Sequence, residues 1–360
     1  MKPLYFKILN LLAIPFIPSL ALAQQPDSAA TEQLIDSADR PLFITQHALP
    51  AAQHADVPKA KPQQEHRLLP LWGDEARARG YDLPEPFGIG FNYMNMRQNI
   101  DVDSIQFSGL ALDDPSMGTS SPLSSNLFDI NVGKTREKSK TETMRLDTWV
   151  LPFLNVYGIV GHTKGSSLSK VSVDADPSKF SGVDGAIAYL VHEMNKEGTL
   201  KDLDFKLDFK GTTYGAGFTL VGGYENWFTS VDTNYTRTNF DILDGQISAL
   251  TVSPRVGYRF LVPGISGQTH LNLWVGIMYQ DVQQRFKGSL SDLKMPASLQ
   301  QMMQMANGKG EGRFDVKQHL QSPWNVLIGT QYEITKHFNL LTEFGFSERN
   351  SFMVSGEYRF

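Results

Sequence analysis

The chain has 360 residues, a net charge of −5 and no Cys. A mildly acidic balance without a Lys/Arg block argues against a nucleic-acid partner, and the missing Cys removes disulfides as a source of stability. Beyond residue 23 no run of about 20 apolar residues occurs, which excludes helical membrane spans and leaves strands as the only means of crossing a bilayer.

The first residues read as an export signal. Lys2 and Lys7 precede an apolar stretch from Ile8 to Leu22, broken by Pro15 and Pro18, and Ala21-Leu22-Ala23 supplies the small-x-small pattern for cleavage after Ala23. Residues 1–23 are therefore expected to be a signal peptide, and with no Cys at the new terminus a lipid-modified N-terminus is excluded. Residues 24–84 are rich in Ala, Gln, Pro and Asp and show no sustained period, so a flexible periplasmic segment is expected. Its end, residues 68–74, is apolar enough to dock, and it carries Trp72.

From residue 85 the texture changes to alternation. Strands are expected at 87 to about 105, 141–151, 154–164, 205–222 and 227–241. In the second half the faces separate cleanly. Val252, Val256, Tyr258 and Phe260 alternate with Ser253, Arg255, Gly257 and Arg259, and Leu271, Leu273, Val275, Ile277 and Tyr279 with Asn272, Trp274, Gly276 and Met278. Trp324, Val326, Ile328 and Tyr332 alternate with Asn325, Gly329, Gln331 and Glu333, and Phe338, Leu340, Phe344 and Phe346 with Asn339, Glu343 and Gly345. In the last strand Phe352, Val354, Tyr358 and Phe360 oppose Ser351, Met353, Ser355, Glu357 and Arg359. Faces of about ten residues, apolar on one side and polar on the other, suit a tilted strand crossing a bilayer.

The expected fold is all-β: a transmembrane antiparallel up-and-down β-barrel over residues 85–360, of about ten strands, or eight or twelve if a long-loop segment is misread. Even parity sorts the connections. Tight ones at 151–153, 223–226, 263–266 and 335–336 fall on the periplasmic side; long ones at about 108–139, 167–203 and 287–311, with short ones near 243–244 and 348–350, fall outside. Short helices are expected in the extracellular loops at 183–196, where Ile187, Leu190, Val191 and Met194 have helical spacing, and at 297–306. Aromatics form two bands: Trp227, Tyr258, Phe260, Tyr332 and Phe360 toward the periplasm, and Tyr93, Tyr235, Tyr279 and Trp324 toward the outside.

The last strand, ending in Tyr358-Arg359-Phe360, resembles the C-terminal signature of bacterial outer-membrane proteins, which implies recognition by the barrel-assembly machinery with Tyr358 and Phe360 as the assembly signal. Residues 71–87 (LWGDEARARGYDLPEPF), 151–161 (LPFLNVYGIVG) and 252–260 (VSPRVGYRF) resemble a family of uncharacterised proteobacterial outer-membrane β-barrel proteins. That resemblance implies fold and an outer-membrane location and brings no activity or substrate with it.

Counting inward-facing positions gives a charged lumen: Arg145, Asp147, Asp232, Arg255, Arg259, Glu333, Glu343, Glu357 and Arg359. Charges in a narrow lumen must pair, either as structural filling or as a pore constriction lined by opposed signs. Inner-face glycines, among them Gly88, Gly217, Gly257 and Gly329, leave room for bulky neighbours such as Trp149, Trp274 and Phe228. Trp72 is a candidate plug.

Chemistry is sparse. His162 near Ser166 and His319 near Ser322 are the candidate base–nucleophile pairs, and neither sits in a lipase- or deacylase-like motif. Asp315 and His319 lack the paired-Asp and Asp-x-His motifs of the omptin proteases. No metal-ligand cluster or phosphate loop appears, so no cofactor or metal is expected. The expectation is a non-enzymatic envelope or surface protein with a narrow or plugged lumen. The alternative is a channel for small or hydrophobic solutes, and a lipid-modifying enzyme comes third. Expected partners are outer-membrane lipids and the assembly machinery; a monomer is expected.

Overall fold

The structure, a computed structural model, describes residues 68–78, 85–114, 119–224, 226–241, 244–265, 267–293, 296–297, 300, 306–307, 310–335 and 337–360. The expected signal peptide, most of the 24–84 segment and most of the expected helix at 297–306 lie outside the described residues.

A short helix, α1 (Gly73–Ala78), precedes the strands β1 (Phe87–Ser108), β2 (Ala111–Asp114), β3 (Thr119–Pro122), β4 (Asp129–Leu151) and β5 (Leu154–Asp174). Helix α2 (Gly182–Lys196) follows, then β6 (Leu203–Tyr224), β7 (Trp227–Phe240), β8 (Gln246–Gly264) and β9 (Gly267–Ser289). The chain ends with β10 (Arg313–Leu320), β11 (Trp324–Glu333), β12 (Phe338–Phe346) and β13 (Arg349–Arg359). All pairings of the main sheet are antiparallel, and the sheet closes on itself in two ways.

Near the end that holds the paired residues Phe87 and Phe360, the ring runs β1–β4–β5–β6–β7–β8–β9–β11–β12–β13 and back to β1, ten strands as the sequence implies. The β12–β13 hairpin is short, however. Beyond it β10, the outward continuation of β11, pairs with β9 on one side and β1 on the other, as in Ile100 opposite Leu320 and Gln284 opposite Gln318. The wall there has eight strands: β1, β4 to β9 and β10. Barrel diameter grows with strand number, and at about eight strands side chains alone fill the interior. The taper therefore divides the lumen into a wider inner part and a packed outer part.

The chemistry of the two faces inverts along the wall. On β6, Leu220, Phe218 and Tyr214 are exposed while Thr219 and Thr213 are buried; farther along the same strand Lys210, Asp208 and Lys206 face out and Phe209, Leu207 and Phe205 are buried. The first pattern is that of a lipid-facing wall, the second that of a wall in water. Inward of the switch the exposed faces carry Phe91, Leu146, Val160, Val256, Phe260, Val275, Ile328, Phe344 and Tyr358, while Ser253, Asn272, Asn325, Asn339 and Arg359 are buried.

Beyond the switch lies an apolar core. Val171, Val173, Phe205, Leu207, Phe209, Phe286, Phe314 and Val316 point inward from the strands, and Leu110, Leu123, Leu127, Leu200 and Leu290 come from the connections. Helix α2 caps it with Ala188 and Val191. Asn195 donates to the Val173 carbonyl at 2.8 Å and His192 Nδ1 lies 3.0 Å from Asp174, so the helix is fixed to the outer end of β5. Ser124 donates to Asp184 at 2.5 Å from the first long connection. The expected helix is present, but Leu190 faces solvent and Ala188 takes the packed position, because the buried stripe is narrow.

This outer extension corrects the expected loops. Residues 129–139, 167–174 and 287–289 are strand, not connection. Their exposed sides touch water, so they lack the apolar outer face by which the lipid-facing strands are recognised. Arg285, for example, donates to Asp315 at 2.9 and 2.5 Å across the β9–β10 pair and thereby holds that carboxyl below its ordinary range.

The aromatic bands are in contact. Trp227 meets Tyr258 edge-on at 5.2 Å, Tyr258 meets Phe260 at 4.8 Å, and on the other side Tyr279 meets Trp324 at 5.0 Å. At the seam Phe87 and Phe360 exchange backbone hydrogen bonds of 3.2 and 3.0 Å and stack their rings.

Candidate functional site in the barrel lumen

Side chains from every strand of the ten-stranded section converge on the lumen, and small residues decide where the large ones fit. A Cβ at Gly329 would overlap the Trp274 indole, one at Gly257 the Phe228 ring, and one at Gly217 would sit 2.6 Å from the Tyr157 ring. At Gly88 it would sit 2.5 Å from Asp147 and 2.9 Å from Arg359. Trp149, Phe228, Trp274 and Val221 thus pack together as a buried floor, joined by Phe153 and Leu341.

The charged positions read from the sequence all lie inside the wall, but they form separate groups. Across β1, which pairs with both strands, Arg359 of β13 donates to Asp147 of β4 at 3.0 Å and pairs with Glu357; Asn155 donates to Asp147 at 2.6 Å and accepts from Arg145 at 2.8 Å. The Arg145 guanidinium lies 3.7 Å above the Tyr157 ring. Asp232 accepts from Tyr157 at 2.9 Å and from Thr219 at 2.7 Å. Arg255 grips Glu343 with two bonds of 2.7 and 3.0 Å, and Trp274 Nε1 donates to the same carboxylate at 2.8 Å. Toward the ten-stranded end Glu333 lies 2.9 Å from His270, and Arg259 donates to Asn272 at 3.2 Å.

Above the floor is a chamber of ≈ 300 Å³. Met94, Met96, Ile159, Met278, Val282 and Met353 supply much of its apolar lining. One wall is a ladder of hydroxyls, Thr141, Thr163, Thr213 and Thr238, linked at 3.0, 2.6 and 2.7 Å across four strands. The roof lies where the wall narrows. There Glu137 accepts from Gln98 at 2.9 Å and Gln284 at 2.7 Å, and Gln318 donates to Gln284 at 2.5 Å. Arg349, 2% exposed, binds Gln280 beside this group.

Glu137, Arg349, Tyr157 and His270 escape the sequence reading for simple reasons. Glu137 continues the inward parity of Asp147 and Arg145, but in a charge-rich stretch read as loop, and Arg349 sits in a three-residue turn signal. Tyr157 lies on a strand apolar on both faces, and His270 stands just before the alternation that starts at Leu271.

Trp72 does not plug the lumen. It is 62% exposed, has φ of 64°, and is not among the residues lining the chamber. Its neighbour Leu71 donates its backbone N–H to Val150 O at 2.8 Å, so this segment adds to the β4–β5 end of the wall. That backbone pairing fixes it at the rim, and the floor residues already fill the space it would need. His162 is exposed on the outer face, and His319 Nδ1 lies 2.7 Å from Asp103.

A closed antiparallel wall, apolar outside and polar inside over ten strands, defines a transmembrane β-barrel. Neither a protein-family model nor a curated protein matches the chain. Solved structures that align with it include the β domain of the Bordetella autotransporter BrkA (10% identity, 77% of this chain and 100% of that one, TM-score 0.32). Others are OprG from Pseudomonas aeruginosa (12%, 78% and 100%, 0.31) and the toluene transporter TbuX from Ralstonia pickettii (10%, 77% and 90%, 0.30). At these scores the alignments add nothing to the strand pairing, on which the class of the fold rests.

Proposed function

We propose that the protein is an integral outer-membrane barrel with a non-enzymatic role in the envelope, and that its lumen is sealed at rest. On this reading residues 1–23 direct export and Tyr358 and Phe360 present the last strand to the assembly machinery. The observation that carries the sealed state is the floor: Trp149, Phe228 and Trp274 are 1%, 5% and 3% exposed, and the charges around them are paired with one another. A conducting constriction needs charges free to meet a passing ion; these are engaged in salt bridges and hydrogen bonds. Wild-type protein in planar bilayers is expected to give no stable current steps. Steps of stable, ion-selective conductance would overturn the sealed reading.

One observation favours a second reading, a route for small or hydrophobic solutes. Met94, Met96, Met278 and Met353 line the chamber, and Met side chains adapt to apolar molecules of varied shape. The chamber would then be a stopping point on a path that opens only on a change of the floor.

A further inference from the structure

The outer face of β1, β4, β5 and β6 changes character row by row. Phe91, Met144, Val160 and Tyr214 are direct cross-strand partners and form the last mainly apolar row. Tyr93, Glu142, His162 and Thr212 form the next, and after them come Asn95, Lys140, Lys164 and Lys210. In the row beyond, Arg97 stands opposite Lys138. The step from the last apolar row to the lysines is four residues along each strand, about 13 Å at ~3.3 Å per residue.

Three lysines side by side on adjacent strands are unfavourable, because like charges directly opposite repel. Among the described residues no carboxylate within ion-pair distance offsets Arg97, Lys138, Lys140, Lys164 or Lys210; only Lys206, nearby on β6, has one, Asp208 at 2.8 Å. All six cations are exposed, and they outnumber the two carboxylates, Asp208 and Asp292, that line the same groove of ≈ 780 Å³ on this part of the wall. The groove begins where the lipid-facing surface ends.

We propose that this groove holds the phosphorylated headgroup of an outer-leaflet lipid, with the acyl chains on the apolar row and phosphate oxygens on the lysines. The proposal rests on the outer-membrane reading above. Lysines are compact point charges suited to phosphate, and a lipid brings phosphate to this height with its own apolar part already matched to the surface below. A soluble anion has no use for that apolar row.

The test is native mass spectrometry of the full chain in neutral detergent, titrated with lipid A, dephosphorylated lipid A and phosphatidylcholine. Lipid A is expected to bind at least about tenfold more tightly than its dephosphorylated form, from attraction on the order of 1 kcal/mol per engaged lysine. The triple variant K140Q/K164Q/K210Q should weaken lipid A binding on the order of 100-fold, while K170Q/K196Q/K201Q leaves it unchanged. In neutral detergent without added lipid the first variant should melt at the same or a higher temperature, since it relieves repulsion. Equal binding of the two lipid A forms, an unaffected K140Q/K164Q/K210Q, or a lowered melting temperature would overturn the proposal. So would displacement of lipid A by inorganic phosphate at equal concentration, which would mark a plain anion site. Uptake of all three lipids alike removes this proposal and leaves the outer-membrane reading standing; uptake of none removes both.

Discussion

Replacing Arg359 by Met is expected to destabilise the barrel by about 3–5 kcal/mol, the loss typical of removing one partner from a buried ion pair. Arg359 is 1% exposed and holds Asp147 and Glu357, both inside the wall, while its Nε donates to the Glu85 carbonyl at 3.2 Å. Met keeps much of the length and fills the space, so the loss reads the stranded carboxylates and not a cavity. Asp147 and Glu357 would then share only Arg145, whose Nε lies 3.8 Å from Asp147. Arg359→Lys keeps the charge but not the fork and should fall between. Adding Asp147→Asn to Arg359→Met should recover part of the loss, because one stranded charge is gone. Urea titration of refolded protein, followed by Trp fluorescence, measures all of these. A shift under about 1 kcal/mol for Arg359→Met would mean that water reaches the seam and screens the pair.

The second large effect concerns the floor. Trp149→Ala and Trp274→Ala should each cost about 3–5 kcal/mol by losing a buried aromatic. Together they should open the chamber to the ten-stranded end of the barrel. Gly257 and Gly329 leave little that could move into the vacated volume, since they have no side chains and stand beside the Phe228 and Trp274 rings. The chain has no Cys, so a single Cys placed at Ser355 in the chamber lining is a unique reporter. It should be unreactive toward a charged thiol reagent in the otherwise wild-type protein and reactive once both tryptophans are gone. No ion current is expected from the double variant, because the packed outer section and the Glu137 group still close the other end. A chamber that stays unreactive without the two rings would show that the seal lies elsewhere.

How much of this could be read from the sequence depends on which side of a strand meets lipid. On the lipid-facing segments from Val252 onward most outward residues are apolar and most inward ones polar, so the parity of Arg359, Glu343 and Arg255 is legible. The number of strands in the inner ring follows from the same grammar. Where a strand leaves the lipid the grammar inverts. The outward residues of 129–139 are charged because they touch water, and the stretch looks like loop although its inward side continues in register to Glu137. β10 is hidden for the same reason. The grouping of the lumen charges was not legible either: pairing Arg255 with Glu343 bridges residues 88 apart in sequence and requires the curvature of the closed wall. Trp72 misled because an apolar patch before a barrel fits a plug and a rim contact equally well.

The alternation that carries the whole architecture can be checked at two adjacent positions. Leu327 is 1% exposed and Ile328 is 46% exposed on the same strand, and a register slip of one residue would exchange them. Single-Cys variants at each, labelled with a small fluorophore before refolding into vesicles, can be quenched by lipids carrying a nitroxide on the acyl chain. Strong quenching at Ile328→Cys with little at Leu327→Cys is the expected result. Quenching at position 327 instead, or equal access of both positions to a water-soluble quencher, would contradict a lipid-embedded barrel with this register.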